Sequence, residues 1–167
     1  MGDLAVVTGL DEVNQMLDEL PKVIVARAWL KALQAGAKVM EEYLISNTPE
    51  ADEGDRKEDL PHLKDSSVIE ITLDSQFRGG IARVGFGKMG NVALWVEYGH
   101  RIVGHKPNKK VLGQYAPHPF MSTSVSQAYE ATVAAFQSAL VETLTAEVPG
   151  FQATFAAAGG EVDWFPL

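Results

Sequence analysis

The chain has 167 residues, enough for one ordinary domain with a real core and too few for two. Hydrophobic residues at 46 % and charged residues at 22 % are globular proportions, which excludes a disordered polymer. The absence of cysteine excludes disulfides and thiolate metal sites, and a net charge of -8 disfavours loose binding to nucleic acid unless that charge is unevenly spread.

The first residues, MGDLAVVTGLDEV, show no basic region followed by a long apolar run, and the apolar VIVARAWL is interrupted by Arg27. Neither a signal peptide nor a membrane span is expected. Thr8 with Asp11 three positions on resembles a capping box, and Leu10, Val13, Leu17 and Leu20 keep helical spacing, predicting a short helix up to Pro21. Pro21 suits the first turn of a second helix, in which Val25, Trp29, Leu30, Leu33, Ala37, Met40 and Leu44 form an apolar stripe. Asn47-Thr48-Pro49 stops it. Residues 49–59, PEADEGDRKED, hold six acids, among them Asp52, Glu53, Asp55, Glu58 and Asp59, and read as a solvated loop. Their spacing does not match that of a calcium-binding loop.

VIEITL alternates as a half-buried strand should, Gly79-Gly80 predicts a turn, and IARVGF a second strand. GKMGN predicts a further hairpin turn, since GFGKMG lacks both the GK[ST] ending and the following helix of a phosphate loop. VALWVEYG is a third apolar segment, strand or short helix by its pattern. Residues 99–117 read as a long loop, and loops of that length inside a domain are usually functional or ordered only by a partner. Val125, Tyr129, Val133, Phe136, Leu140 and Leu144 then predict a last helix, capped by Ser122, Thr123 or Ser124 and ended by Pro149-Gly150. Phe151, Phe155, Trp164 and Phe165 follow it, and a tail with that much apolar surface calls for a partner. The expected fold is α+β: a short and a long helix, an antiparallel sheet of three to four strands and a C-terminal helix over residues 1–150, with a docking tail over 151–167.

Glu97, His100 and His105 fall within nine positions, and with His118 they make a candidate set for a metal-dependent hydrolase. Gly99 and Gly104 would break a helix holding them, and no HExxH spacing is present. No GxSxG elbow points to a serine nucleophile. From Tyr98 to Tyr129 there is no acid, while Arg101, Lys106, Lys109 and Lys110 form a basic island. Such an island is either a solvated loop or an electrostatic contact with phosphate or an acidic neighbour. No aromatic residue stands among residues 99–114 to stack on bases, which disfavours sequence-specific recognition. Subunits meeting head to tail would let the basic island of one face the acidic loop of the next.

The order of parts resembles a family of tail-completion proteins from the neck of long-tailed bacteriophages, also labelled minor tail or head–tail joining proteins. It is carried by GLDEV, the LP before a long helix ending in TP, HLKDSSVIEI, ALWVEYG and HPFM, over about residues 9–146. The pair WVEYG and HPFM is its most specific piece. The resemblance implies a non-enzymatic virion protein with no cofactor, assembled in the host cytoplasm as a ring, typically hexameric, around the DNA channel. Its implied partners are its own copies, the head-closure protein, and a tail terminator or tail tube protein, with non-specific DNA contact in the channel. A tail terminator of the same particle is the neighbouring reading. His100 departs from the family's small hydroxyl residue, and the acidic loop from its short basic linker. In this light Glu97, with Tyr98 and Gly99, is expected to anchor the loop that follows by accepting its backbone N–H groups, so that Glu97→Ala weakens ring assembly more than folding.

Overall fold

The computed structural model describes residues 20–50, 62–75, 79–103 and 111–148. The expected N-terminal helix, the acids Asp52, Glu53, Asp55, Glu58 and Asp59, His105, the bases Lys106, Lys109 and Lys110, and the tail residues Phe151, Phe155, Trp164 and Phe165 lie outside them.

Helix α1 (Lys22–Asn47) starts one residue after Pro21, whose carbonyl accepts the Ile24 N–H at 2.8 Å. It stops at Thr48, which the following proline holds extended and whose hydroxyl donates to the Leu44 carbonyl at 2.6 Å. Its buried positions are Val25, Ala28, Ala32, Gly36, Ala37 and Leu44. The expected stripe is therefore shifted: Trp29, Leu33 and Met40 are half-buried and Leu30 is exposed. The small residues mark where another helix approaches. A Cβ on Gly36 would stand 3.2 Å from the Thr132 carbonyl oxygen and 3.4 Å from the Phe136 Cβ.

That partner is α3 (Phe120–Glu147), which runs antiparallel to α1. Arg27 pairs with Glu147 at one end. At the other the Asn47 amide donates to the Ser124 hydroxyl at 3.1 Å and to Gln127 Oε1 at 2.9 Å. On α3 the buried positions are Phe120, Ser124, Ala128, Thr143 and Leu144. Val125 and Tyr129, expected in the apolar stripe, are exposed because α1 covers the adjacent face carrying Ser124 and Ala128. Between the ends the Trp29 and Phe136 rings meet with centres 5.6 Å apart, and an apolar cluster forms at each end of the pair. Ala28 and Leu144 meet Ile24, Leu140 and Val148 at one end, and Leu44, Phe86, Ala93 and Phe120 cluster at the other.

Strands β1 (Ser67–Leu73) and β2 (Gly80–Phe86) pair antiparallel from Ser67↔Phe86 to Leu73↔Gly80. Gly80 is thus a strand residue rather than part of the turn. The period-2 pattern puts Ile69, Ile71 and Leu73 inward and leaves Val68, Glu70 and Thr72 exposed. Phe86 stacks obliquely on Phe120 with ring centres 5.7 Å apart, tying this sheet to the start of α3.

The chain then turns at Gly87–Met89 into α2 (Gly90–Tyr98), so VALWVEYG is helical. A helix does follow GFGKMG, contrary to expectation, although the GK[ST] ending is still lacking. Beyond it, β3 (His100–Val103) and β4 (Val111–Tyr115) form a second antiparallel hairpin inside the stretch expected to be a long loop. The α+β class holds, but the described strands form two separate two-stranded sheets instead of one sheet of three or four. The cause is α2, which turns the chain away between β2 and β3.

Candidate assembly interface

Helix α2 buries only Ala93 and Glu97, four residues apart on one face, and exposes Leu94, Trp95 and Tyr98. It ends at Gly99, whose φ of 73° is the left-handed value that glycine adopts without strain. A side chain there would also strike the Tyr115 carbonyl oxygen, 2.5 Å from the position of a Cβ. The backbone of β4 therefore closes directly over the end of α2.

Glu97 is 4 % exposed, yet both its oxygens are engaged. Oε2 accepts the Met121 N–H at 2.7 Å, and Oε1 accepts the Ser122 N–H at 3.1 Å and the Ser122 hydroxyl at 2.7 Å. Those N–H groups belong to the first turn of α3, which has no partner for them within the helix. No residue of α3 caps its own start: the hydroxyls of Thr123 and Ser124 donate backwards to the Pro119 and Phe120 carbonyls. A carboxylate from another helix supplies the cap instead, where the helix dipole favours negative charge. The His118 N–H donates to the Val96 carbonyl at 2.9 Å, completing the tie. Burial pushes the Glu97 carboxyl up, but the Ser122 hydroxyl, the Met121 and Ser122 N–H groups and the nearby His118 together hold it below its ordinary value.

The anchoring partners of Glu97 thus differ from those expected: they start α3, not the loop after Gly99. Tyr98, grouped with it, is 72 % exposed. His100 stacks on Tyr115 with ring centres 5.5 Å apart and lies 5.8 Å from the Trp95 ring, so it packs the base of the hairpin. Of the candidate metal set, both oxygens of Glu97 accept hydrogen bonds from the start of α3 and His100 is held among aromatic rings. No three His, Asp or Glu side chains converge as ligands among the described residues. An open depression of about 400 Å³ lies beside α2, lined mainly by Phe86, Lys88, Leu94 and Met121.

Above this base the β3–β4 hairpin pairs with itself in the register His100↔Tyr115, Arg101↔Gln114 and Ile102↔Gly113, then slips at a bulge to Val103↔Val111. Ile102, Val103, Val111 and Leu112 are all exposed, so the hairpin shows apolar side chains to solvent. Arg101 is exposed on β3, and the joining residues 104–110 carry Lys106, Lys109 and Lys110. The apolar arm itself was missed by sequence reasoning. Its only signals were two runs of four and five residues, HRIV and VLGQY, separated by the basic stretch.

Residues 11–99, just over half of the chain, match the family model described as "Bacteriophage HK97-gp10, putative tail-component". The chain belongs to that family. The tail-component match ends at Gly99, so it takes in α1, the first hairpin and the residue that donates the cap, while the apolar arm and α3 lie beyond it. No curated protein and no solved structure matches this family member. Among its described residues no helix is long and apolar enough to cross a membrane.

Proposed function

We propose that this tail-component protein is a structural subunit of the phage neck, a tail-completion or head–tail connector protein that closes into a homo-oligomeric ring, six subunits by family resemblance, around the DNA channel. The observation that carries the reading is the exposed apolar hairpin on a clamped base. A two-stranded hairpin is marginal alone in water, and exposed apolar surface of this kind marks a contact with another chain. A buried carboxylate fixing the hairpin root suits an arm that must be presented in one orientation. Residues 1–150 act as the ring-forming domain and residues 151–167 as an apolar tail docking on a neighbouring virion component. The head-closure protein lies on one face and a tail terminator or tail tube protein on the other, with no catalysis and no cofactor. The bases Arg101, Lys106, Lys109 and Lys110 meet the acids Asp52, Glu53, Asp55, Glu58 and Asp59 of the next subunit, or the phosphates of the passing DNA. Native mass spectrometry and electron microscopy of the purified chain, alone and with tails assembled without it, test the reading. A closed ring in either setting is the expected result. A chain that stays monomeric in both overturns it.

A further inference from the structure

On α3, Ser122, Val125 and Tyr129 are three and then four residues apart, so they lie along one line of the helix. Ser122 is tied to Glu97, whose neighbours Trp95 and Tyr98 are exposed, so this line leads up to the root of the β3–β4 arm. The arm does not fold back onto it, since Val125 and Tyr129 are exposed in the same chain as Ile102 and Leu112. An acid borders this stripe, since Glu130 follows Tyr129 on the same helix. The sequence carries six more over residues 49–59, which follow α1 in the chain. The arm is basic, with Arg101 on β3 and three lysines between its strands. Arm and stripe are therefore complementary twice, apolar to apolar and basic to acidic, while standing apart within one chain.

We propose that the β3–β4 arm of one copy seats on the Val125–Tyr129 stripe of a second copy, head to tail, each copy giving one arm and receiving one. This rests on the ring reading above and names the contact that would build it. The arm spans about 15 Å from its root at strand rise per residue, enough to cross a helix. A contact between two different patches leaves one arm and one stripe free after every addition, so growth ends only when the ring closes.

The test uses two variants of the full chain, an arm variant, Ile102→Asp with Leu112→Asp, and a stripe variant, Val125→Asp with Tyr129→Asp. All four positions are exposed, so circular dichroism and melting should match wild type. By sedimentation the wild type should form an oligomer that weakens with salt, and each variant alone should be monomeric, its association at least a hundredfold weaker. Mixed together, the two should form a dimer and nothing larger, because the stripe variant still has an arm and the arm variant still has a stripe. The cysteine-free chain allows an independent check. Leu112→Cys mixed with Val125→Cys should give a disulfide-linked dimer on mild oxidation, and either alone should not. A mixture that stays monomeric, variants that assemble like wild type, or a wild type still monomeric at about 0.1 mM, a threshold of about 5.5 kcal/mol of affinity, each overturn the arm-on-stripe contact. If a wild-type ring persists while the arm and stripe variants assemble normally, only the contact falls. If no ring forms even on tails, the neck reading falls with it.

Discussion

Replacing Glu97 by alanine is the sharpest perturbation the structure offers. It removes the acceptor for the Met121 and Ser122 N–H groups and for the Ser122 hydroxyl, three bonds to one buried carboxylate. Bonds to a charged acceptor each contribute about 1.5–3 kcal/mol, but Ser122 is exposed and water can replace part of what it loses, so about 1 kcal/mol per bond, or about 3 kcal/mol in all, is the expected loss. For a chain of this size that corresponds to a melting temperature lower by about 9 °C. Glu97→Gln keeps one acceptor oxygen of the same shape but turns an amide towards an N–H, and should lose about half as much. Thermal melts followed by circular dichroism measure both, and hydrogen exchange should show the Met121 and Ser122 amides losing protection before the middle of α3. An alanine variant melting within about 2 °C of wild type, with those amides still protected, would refute the capping argument. Because the bonds lie inside one chain, the loss falls first on monomer folding, reversing the sequence-based expectation that assembly would suffer more.

The same carboxylate gives a pH signature. Its folded pKa lies below its unfolded one, so its stabilisation is complete above the ordinary glutamate range and is lost as pH falls through the lower folded value. The melting gap between wild type and Glu97→Gln should therefore be widest near neutrality and narrow steadily below about pH 4, in a series of melts across that range. Gly99→Ala forces a side chain into a left-handed backbone and against the Tyr115 carbonyl, and urea titration should show a loss of about 2–3 kcal/mol. Gly36→Leu must push α3 away from α1, with an expected cost of about 3 kcal/mol and a lower denaturation midpoint. Asn47→Ala removes two side-chain bonds between the same helices and should cost about 1–2 kcal/mol by the same titration.

The elements with a long, repeated pattern were legible in the sequence. The span of α1 and the alternation of β1 followed from periods of 3.6 and 2, which twenty-six and seven residues are long enough to display. The faces of the helices were less legible. The apolar stripes pointed to Trp29, Leu30, Val125 and Tyr129, but a close helix pair selects for small side chains, and Ala28, Ala32 and Gly36 carry almost no hydropathy signal. The second hairpin was hidden because four and five residues cannot establish a strand period among glycines, prolines and lysines. Glu97 could be singled out from WVEYG, yet its partners stand 24 and 25 residues away, across the hairpin, and no local spacing encodes them.

The Glu97 clamp also bears on how this protein can change over time. It joins the residue before the arm to the residues just after it, with a sequence separation of 24, so everything between is a closed excursion whose base is set from outside. Loop closure entropy rises only slowly with length, each doubling costing about 0.6 kcal/mol, so strands can be added to or trimmed from the excursion while α1, the first hairpin and α3 keep their packing. Length and composition of the arm can then change with the body beneath it unaltered.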